Sequence, residues 1–203
     1  MLAEACRQAV AWGADGPSIA INLSARQFQD PELFADVKAT LSASGVDPRR
    51  LRIEITEHLL ISALGGAIAT LNLLRQLGVT IAIDDFGTGY SSLDYLRDLP
   101  IDAIKLDRSF ITEIGPNGGA LPIIEGITTL SHILGLAVTA EGIETSHQLA
   151  RLREIGCDRG QGFLLGRPAP SGPIPPRPIV AMSPLPSVIT NRRQSERRRR
   201  LAP

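Results

Sequence analysis

Six short runs rich in β-branched and aliphatic residues, separated by helical stretches, constrain this 203-residue chain more than any other feature. The runs are 18–24 (SIAINLS), 51–56 (LRIEIT), 80–86 (TIAIDDF), 102–107 (DAIKLD), 136–142 (LAVTAEG) and 159–165 (RGQGFLL). The stretches between them carry start and stop signals. Asp30 followed by Pro31 opens a helix expected over 30–44, and Gly78, Gly135 and Gly156 close helices expected over 57–77, 121–134 and 145–155. A shorter helix is expected over 91–99, before Pro100. Such βα alternation implies parallel strands in an α/β fold. A closed βα barrel needs eight strands. Six leave two architectures, an open doubly wound sheet or a barrel without its first part. The opening stretch to Gly13 reads as a helix with no cap before it.

Hydrophobic residues make up 43% of the chain, enough for a sizeable core and too many for a wholly disordered protein. The longest uncharged stretch, Leu59 to Leu74, contains Ser, Gly, Thr and Asn and falls short of the roughly 20 apolar residues a membrane span needs. The N-terminus shows no secretory pattern. Two cysteines, Cys6 and Cys157, exclude a disulfide scaffold and a Cys-rich zinc module, and fit a reducing cytoplasm. The balance of 21 basic against 21 acidic residues hides an asymmetry. Residues 171–203 hold seven arginines, one acid and a high density of proline. The expected division is a globular unit over 1–170 and a Pro/Arg-rich disordered tail over 171–203, because proline opposes both helix and ladder pairing. The arginine run has the charge to contact nucleic acid or anionic lipid, but a solvated tail without a defined partner is the favoured reading.

Side chains alternate faces along a strand. Asn22, Glu54, Asp84, Lys105 and Glu141 all alternate with aliphatic residues, so they project to the face opposite the helices, at or near the C-terminal ends of their strands. Parallel α/β folds build their active sites there. Glu54, Asp84, Asp85 and Glu141 against Lys105 alone would be costly in a partly dry cavity, unless protons or cations are taken up. The donors are all oxygens, which selects hard divalent cations such as Mg²⁺, Mn²⁺ or Ca²⁺ over zinc. Adjacent Asp84 and Asp85 suit a carboxylate shared between two metals, an arrangement used for in-line attack on phosphorus. Lys105 is placed to orient the attacking water or stabilise developing charge. The alternative for any single acid is a surface ion pair; five polar inward positions on successive strands argue against that reading for the set.

The strings INLSARQF (21–28), IEITE (53–57), IDDFGTGYSSLDYL (83–96), IDAIKLDRSF (101–110), TAEGIE (139–144) and GQGFLLGRP (160–168) together resemble the EAL family of cyclic di-GMP phosphodiesterases over almost all of 1–170. The resemblance implies a modified TIM-type (βα)8 barrel, here with six βα strands and without the first two. It implies hydrolysis of cyclic di-GMP to linear pGpG with two Mg²⁺ or Mn²⁺ ions. By motif position, Asn22, Glu54, Asp84, Asp85 and Glu141 look like the metal ligands, Asp84 the bridging one. Lys105 looks like the holder of the attacking water. Gln161 is similar to the family's late active-site glutamine, and Glu144 looks like the glutamate that steadies the DDFGTGYSS loop.

The family's Glu-Ala-Leu tripeptide, whose Glu is a ligand, does not occur in the 203 residues. A misplaced start, a truncated gene and a fragment of a longer sensor protein all account for this. The expectation is therefore a cyclic di-GMP domain with impaired turnover. The competing readings are a degenerate module that binds the nucleotide or a protein, and a non-functional fragment. Missing strands would leave the runs beginning at Ser18 and Arg159 as unpaired edges, which favours homodimerisation or poor solubility. His58, His132 and His147 lack ligand spacing and read as surface or internally satisfied residues. Cys157 reads as buried filler, and Trp12 as packing for the first helix.

Overall fold

The computed structural model describes residues 1–62, 64–89, 95–115, 119–168 and 179–182. Strands β1 (Ile19–Asn22), β2 (Leu51–Thr56), β3 (Thr80–Phe86), β4 (Ala103–Leu106), β5 (Ala137–Ala140) and β6 (Arg159–Gln161) form one sheet with β7 (Ile179–Ala181). The order is sequential from β1 to β7, and β1 through β6 are parallel. A doubly wound sheet reverses its strand order at a switch point. This sheet does not reverse, and its six parallel strands curl into a half-barrel, which decides between the two architectures the sequence left open.

The helices are α1 (Leu2–Ala11), α2 (Ala25–Phe28), α3 (Leu33–Ser44), α4 (Glu57–Ser62), α5 (Leu64–Gln76), α6 (Arg108–Thr112), α7 (Leu121–Ile133) and α8 (Ser146–Ile155). None of the described helices is long and apolar enough to cross a membrane. The aliphatic half of each strand faces them: Ile53, Ile55, Ile81, Ile83, Ile104, Leu106 and Val138 are fully buried. Each such side chain contributes about 2 kcal/mol by leaving water. The other half, including Glu54, Lys105 and Thr139, lines the concave face.

Several boundaries differ from the expectation for local reasons. The helix expected from Asp30 starts at Leu33, because Asp30 accepts the Glu32 N–H in a turn (3.0 Å) instead of capping the helix. Two short helices were not anticipated. Ser24 and Gln27 form a reciprocal capping box around α2, and Asp107 caps α6 through the Ser109 N–H. The described part of the stretch 91–99 is a single 3₁₀ turn, Tyr95–Arg97.

Arg50 fastens α1 to the sheet. Its guanidinium donates to the carbonyls of Ala9, Gly13 and Pro17 at 2.8, 2.5 and 3.1 Å. The bonds to Ala9 and Gly13 satisfy acceptors at the C-terminal end of α1, where a cation is also favoured by the helix dipole, and the bond to Pro17 ties in the segment leading to β1. Replacing Arg50 with Met is expected to cost about 2 kcal/mol, within the range for charge-assisted hydrogen bonds. A urea melt reads this directly, and an unchanged midpoint would show that α1 docks without the arginine.

The proline-rich segment is not free of ladder pairing. Ile179–Ala181 pairs antiparallel with β6, matching Arg159 to Ala181, Gly160 to Val180 and Gln161 to Ile179. This triplet contains no proline, so its N–H groups remain available, and the Met182 N–H extends the attachment to the Asp158 carbonyl (2.7 Å). The β6 edge is therefore covered, contrary to the expectation of an open one. Residues 169–178 and 183–203, including the arginine run, lie outside the described residues. At the opposite side, β1 pairs only with β2 among the described residues. A cavity of about 290 Å³ borders this edge, lined by Met1, Leu2, Ile21, Asn22, Leu33 and Ile53 among others.

Candidate functional site

The site is built around one ammonium. Lys105 rises from the centre of β4 onto the concave face, where its Nζ lies 2.7 Å from Glu54 Oε2, 2.8 Å from Asp84 Oδ1 and 2.7 Å from Glu141 Oε1. Its side chain is 5% exposed and that of Glu54 is 6% exposed. Burial by itself would pull the lysine pKa down; the three carboxylates outweigh it and hold the ammonium above the usual lysine range. The cation is thus permanently charged, and it offsets part of the acidic cluster.

Three carboxylates, those of Asp84, Asp85 and Glu141, present oxygens that all lie within 4.8 Å of one another. In a regular strand, adjacent Asp84 and Asp85 would point to opposite faces. The β3–β4 ladder shifts register between Ile83 and Phe86, and Asp85 takes φ 53°, a left-handed conformation that Asp tolerates better than most residues. This bulge turns both acids to the same side, a use bulges commonly serve beside active sites. Burial, followed by the charges of Asp84 and Asp107, raises the Asp85 carboxyl above its ordinary range against the pull of Lys105. Burial likewise raises Glu141, again against Lys105.

The donor set fits hard divalent cations. Every candidate ligand is an oxygen, three of them converge, and Glu54 Oε1 is buried without a hydrogen-bond partner, an acceptor still lacking a positive group. Asn22 lies at the end of β1, in register with Glu54, but it is exposed and makes no side-chain hydrogen bond to a described residue. Gln161 ends β6 on the same concave side, where its backbone carbonyl accepts the Ile143 N–H at 3.0 Å.

Glu144 does not hold the loop after β3, as far as that loop is described. It is exposed, and its N–H donates to Gln148 Oε1 (2.9 Å) in the turn that starts α8. The carboxylate on the loop is that of Glu57, the first residue of α4. Glu57 is 1% exposed and accepts the Gly87 N–H at 2.8 Å through Oε2. A Cβ at Gly89 would lie 3.3 Å from Glu57 Oε1, so the loop passes close over this carboxylate. Glu57 was visible in the string IEITE, three residues after Glu54, yet no periodicity distinguished it from a solvent-facing helix start. Tyr90–Asp94 of the loop are outside the described residues.

His132 Nε2 meets Asp158 Oδ2 at 2.9 Å, His58 and His147 are exposed, and burial pushes the Cys157 thiol up to about 11.

Comparison with known proteins agrees with this geometry. The family model of the EAL domain matches residues 1–168. The bifunctional diguanylate cyclase/cyclic di-GMP phosphodiesterase MucR of Pseudomonas aeruginosa is 42% identical over 174 residues, covering 84% of this chain and 25% of that protein. The solved MucR phosphodiesterase in complex with c-di-GMP superposes with a TM-score of 0.79, covering 84% of this chain and 70% of that one. A manganese/c-di-GMP complex of Klebsiella pneumoniae BlrP1 is 33% identical with a TM-score of 0.76, covering 82% and 43% of the two chains. The chain spans about a fifth of the length of the first curated relatives it matches. With the curled parallel sheet, the convergent acids and these likenesses together, the chain belongs to the EAL domain family.

Proposed function

We propose that this chain is a cyclic di-GMP-binding domain, and that its acidic site, when complete, hydrolyses the cyclic dinucleotide to linear pGpG. Asn22, Glu54, Asp84, Asp85 and Glu141 would hold two Mg²⁺ or Mn²⁺ ions, with Asp84 between them. The observation that carries the reading is Lys105 gripped by three carboxylates at the C-terminal end of a parallel sheet shared with c-di-GMP-bound phosphodiesterases.

Bound cations supply Lewis acidity and charge neutralisation at the phosphodiester. The chain's own residues do the rest. The carboxylates fix where positive charge sits. The Lys105 ammonium donates a hydrogen bond that orients the attacking water, and it faces the negative charge growing on the phosphoryl oxygens. Glu57 keeps the loop that follows Asp84 and Asp85 in place through Gly87. Gln161 stands at the mouth as a polar contact for water or nucleotide. The water oxygen ends on phosphorus, one ribose–oxygen bond to phosphorus breaks, and the proton passes to the leaving oxygen. A cytoplasmic setting belongs to the same reading.

Calorimetric titration of cyclic di-GMP in the presence of Mn²⁺ tests binding. Saturable, cation-dependent uptake that is lost in Asp84→Ala and is not displaced by GMP is expected. No uptake, or uptake indifferent to Asp84→Ala, would overturn the reading. A module that binds the nucleotide without turnover would give the same uptake and differ only in forming no pGpG.

A further inference from the structure

One layer below the acidic site, towards the N-terminal ends of the strands, two more cations face the concave side. Arg52 lies two residues before Glu54 on β2, and Arg159 lies two residues before Gln161 on β6. Alternation puts both on the same face as the site, and Thr139, paired in register with Arg159 and with Lys105, is on that face as well. Both arginines are half-buried. Neither forms a hydrogen bond or ion pair with a described residue through its guanidinium, and Arg52 Nε is sealed from solvent without a partner.

The acids close enough to be felt are already engaged. Asp102 gives Oδ1 to Arg75 (2.7 Å) and Oδ2 to the Ile81 N–H (2.9 Å). Asp158 Oδ2 takes the Val138 N–H (2.7 Å) and meets His132. Glu54 Oε2 is held by Lys105. Burial strips water from both guanidiniums, and Arg159 acts on Arg52 as a like charge. A lysine or histidine could relieve such a position by losing its proton, but arginine stays charged throughout the accessible pH range. An anion would offset this charge, and two guanidinium forks present the planar donor arrays that match an oxyanion.

We propose that Arg52 and Arg159 form an oxyanion-binding site on the floor of the half-barrel, separate from the metal-ligand cluster and suited to a phosphate group. It works without divalent cations, so its fate is independent of the phosphodiesterase reading.

The test is the melting temperature of the full 203-residue chain in EDTA, titrated with inorganic phosphate against chloride at matched ionic strength. A saturable phosphate-specific rise of a few degrees is expected for wild type and for Asp84→Ala. Arg52→Met and, separately, Arg159→Met should lose that rise. Both should also melt higher than wild type in phosphate-free buffer, since each removes a repulsion. The arginine run at 192–200 is present in every variant, so its diffuse attraction cancels. No phosphate-specific rise in wild type, or an equal rise in both arginine variants, would overturn the site. If one variant fails to fold, the other together with phosphorus-31 line broadening gives the same decision.

Discussion

Supplied with Mg²⁺ and cyclic di-GMP, the 203-residue chain is expected to form pGpG at least about 100-fold more slowly than the same chain fused to a family segment carrying Glu-Ala-Leu. Displacement of a reacting group by about 1 Å can cost on the order of 100-fold, and the 203 residues hold no Glu-Ala-Leu tripeptide to supply the further carboxylate that the proposed site calls for. The acids of the proposed site converge, but Asn22 at the β1 edge is exposed and makes no side-chain hydrogen bond to a described residue, so that side of the site is the weakly defined one. In the fused chain Lys105→Ala should abolish the restored turnover, because no other described cation touches Glu54, Asp84 and Glu141 together. Chromatographic measurement of pGpG decides the matter. Equal turnover with and without the fused segment would place the catalytic ligands elsewhere.

The second large effect concerns stability. Lys105→Met in metal-free protein leaves Glu54, Asp84 and Glu141 facing one another without a counter-charge. Breaking a buried ion pair from one side costs about 3–5 kcal/mol. The side chains are nearly enclosed, so little of that is screened by water. A urea melt in EDTA should therefore show a strongly lowered midpoint. Adding Mn²⁺ should raise the midpoint of Lys105→Met more than that of wild type, since the metal then supplies the missing positive charge. An unchanged midpoint in EDTA would mean that the carboxylates are not committed to the lysine.

Much of this was legible because two regularities survive in a single sequence. Strand periodicity of two placed Glu54 and Lys105 on the concave face, and glycines after helical runs located the ends of α5, α7 and α8 to within a few residues. What escaped depends on backbone detail or on distant partners. The bulge that brings Asp85 beside Asp84 is a register shift between two strands, and no composition signals it. The capping roles of Ser24 and Asp107 are local and were readable, but α2 and α6 are too short for a periodic pattern. Glu57 and Glu144 each follow a site acid by three residues, so spacing does not tell them apart; only the three-dimensional path shows Glu57 buried against Gly87 while Glu144 is exposed. Pairing by Ile179–Ala181 was hidden by the prolines on either side. Arg52 and Arg159 carry no distinguishing signal in the sequence, because alternation alone does not tell an unpartnered inward cation from a solvated one.

The central claim is that these acids form a binding site for hard divalent cations. Calorimetric titration of the metal-free 203-residue chain with Mn²⁺, alongside Asp84→Ala, tests it most directly. Weak but saturable heat in wild type, and at least roughly tenfold weaker uptake in Asp84→Ala, is the predicted result, since removing one carboxylate from a small oxygen donor set weakens it substantially. Equal heats from the two proteins would contradict it.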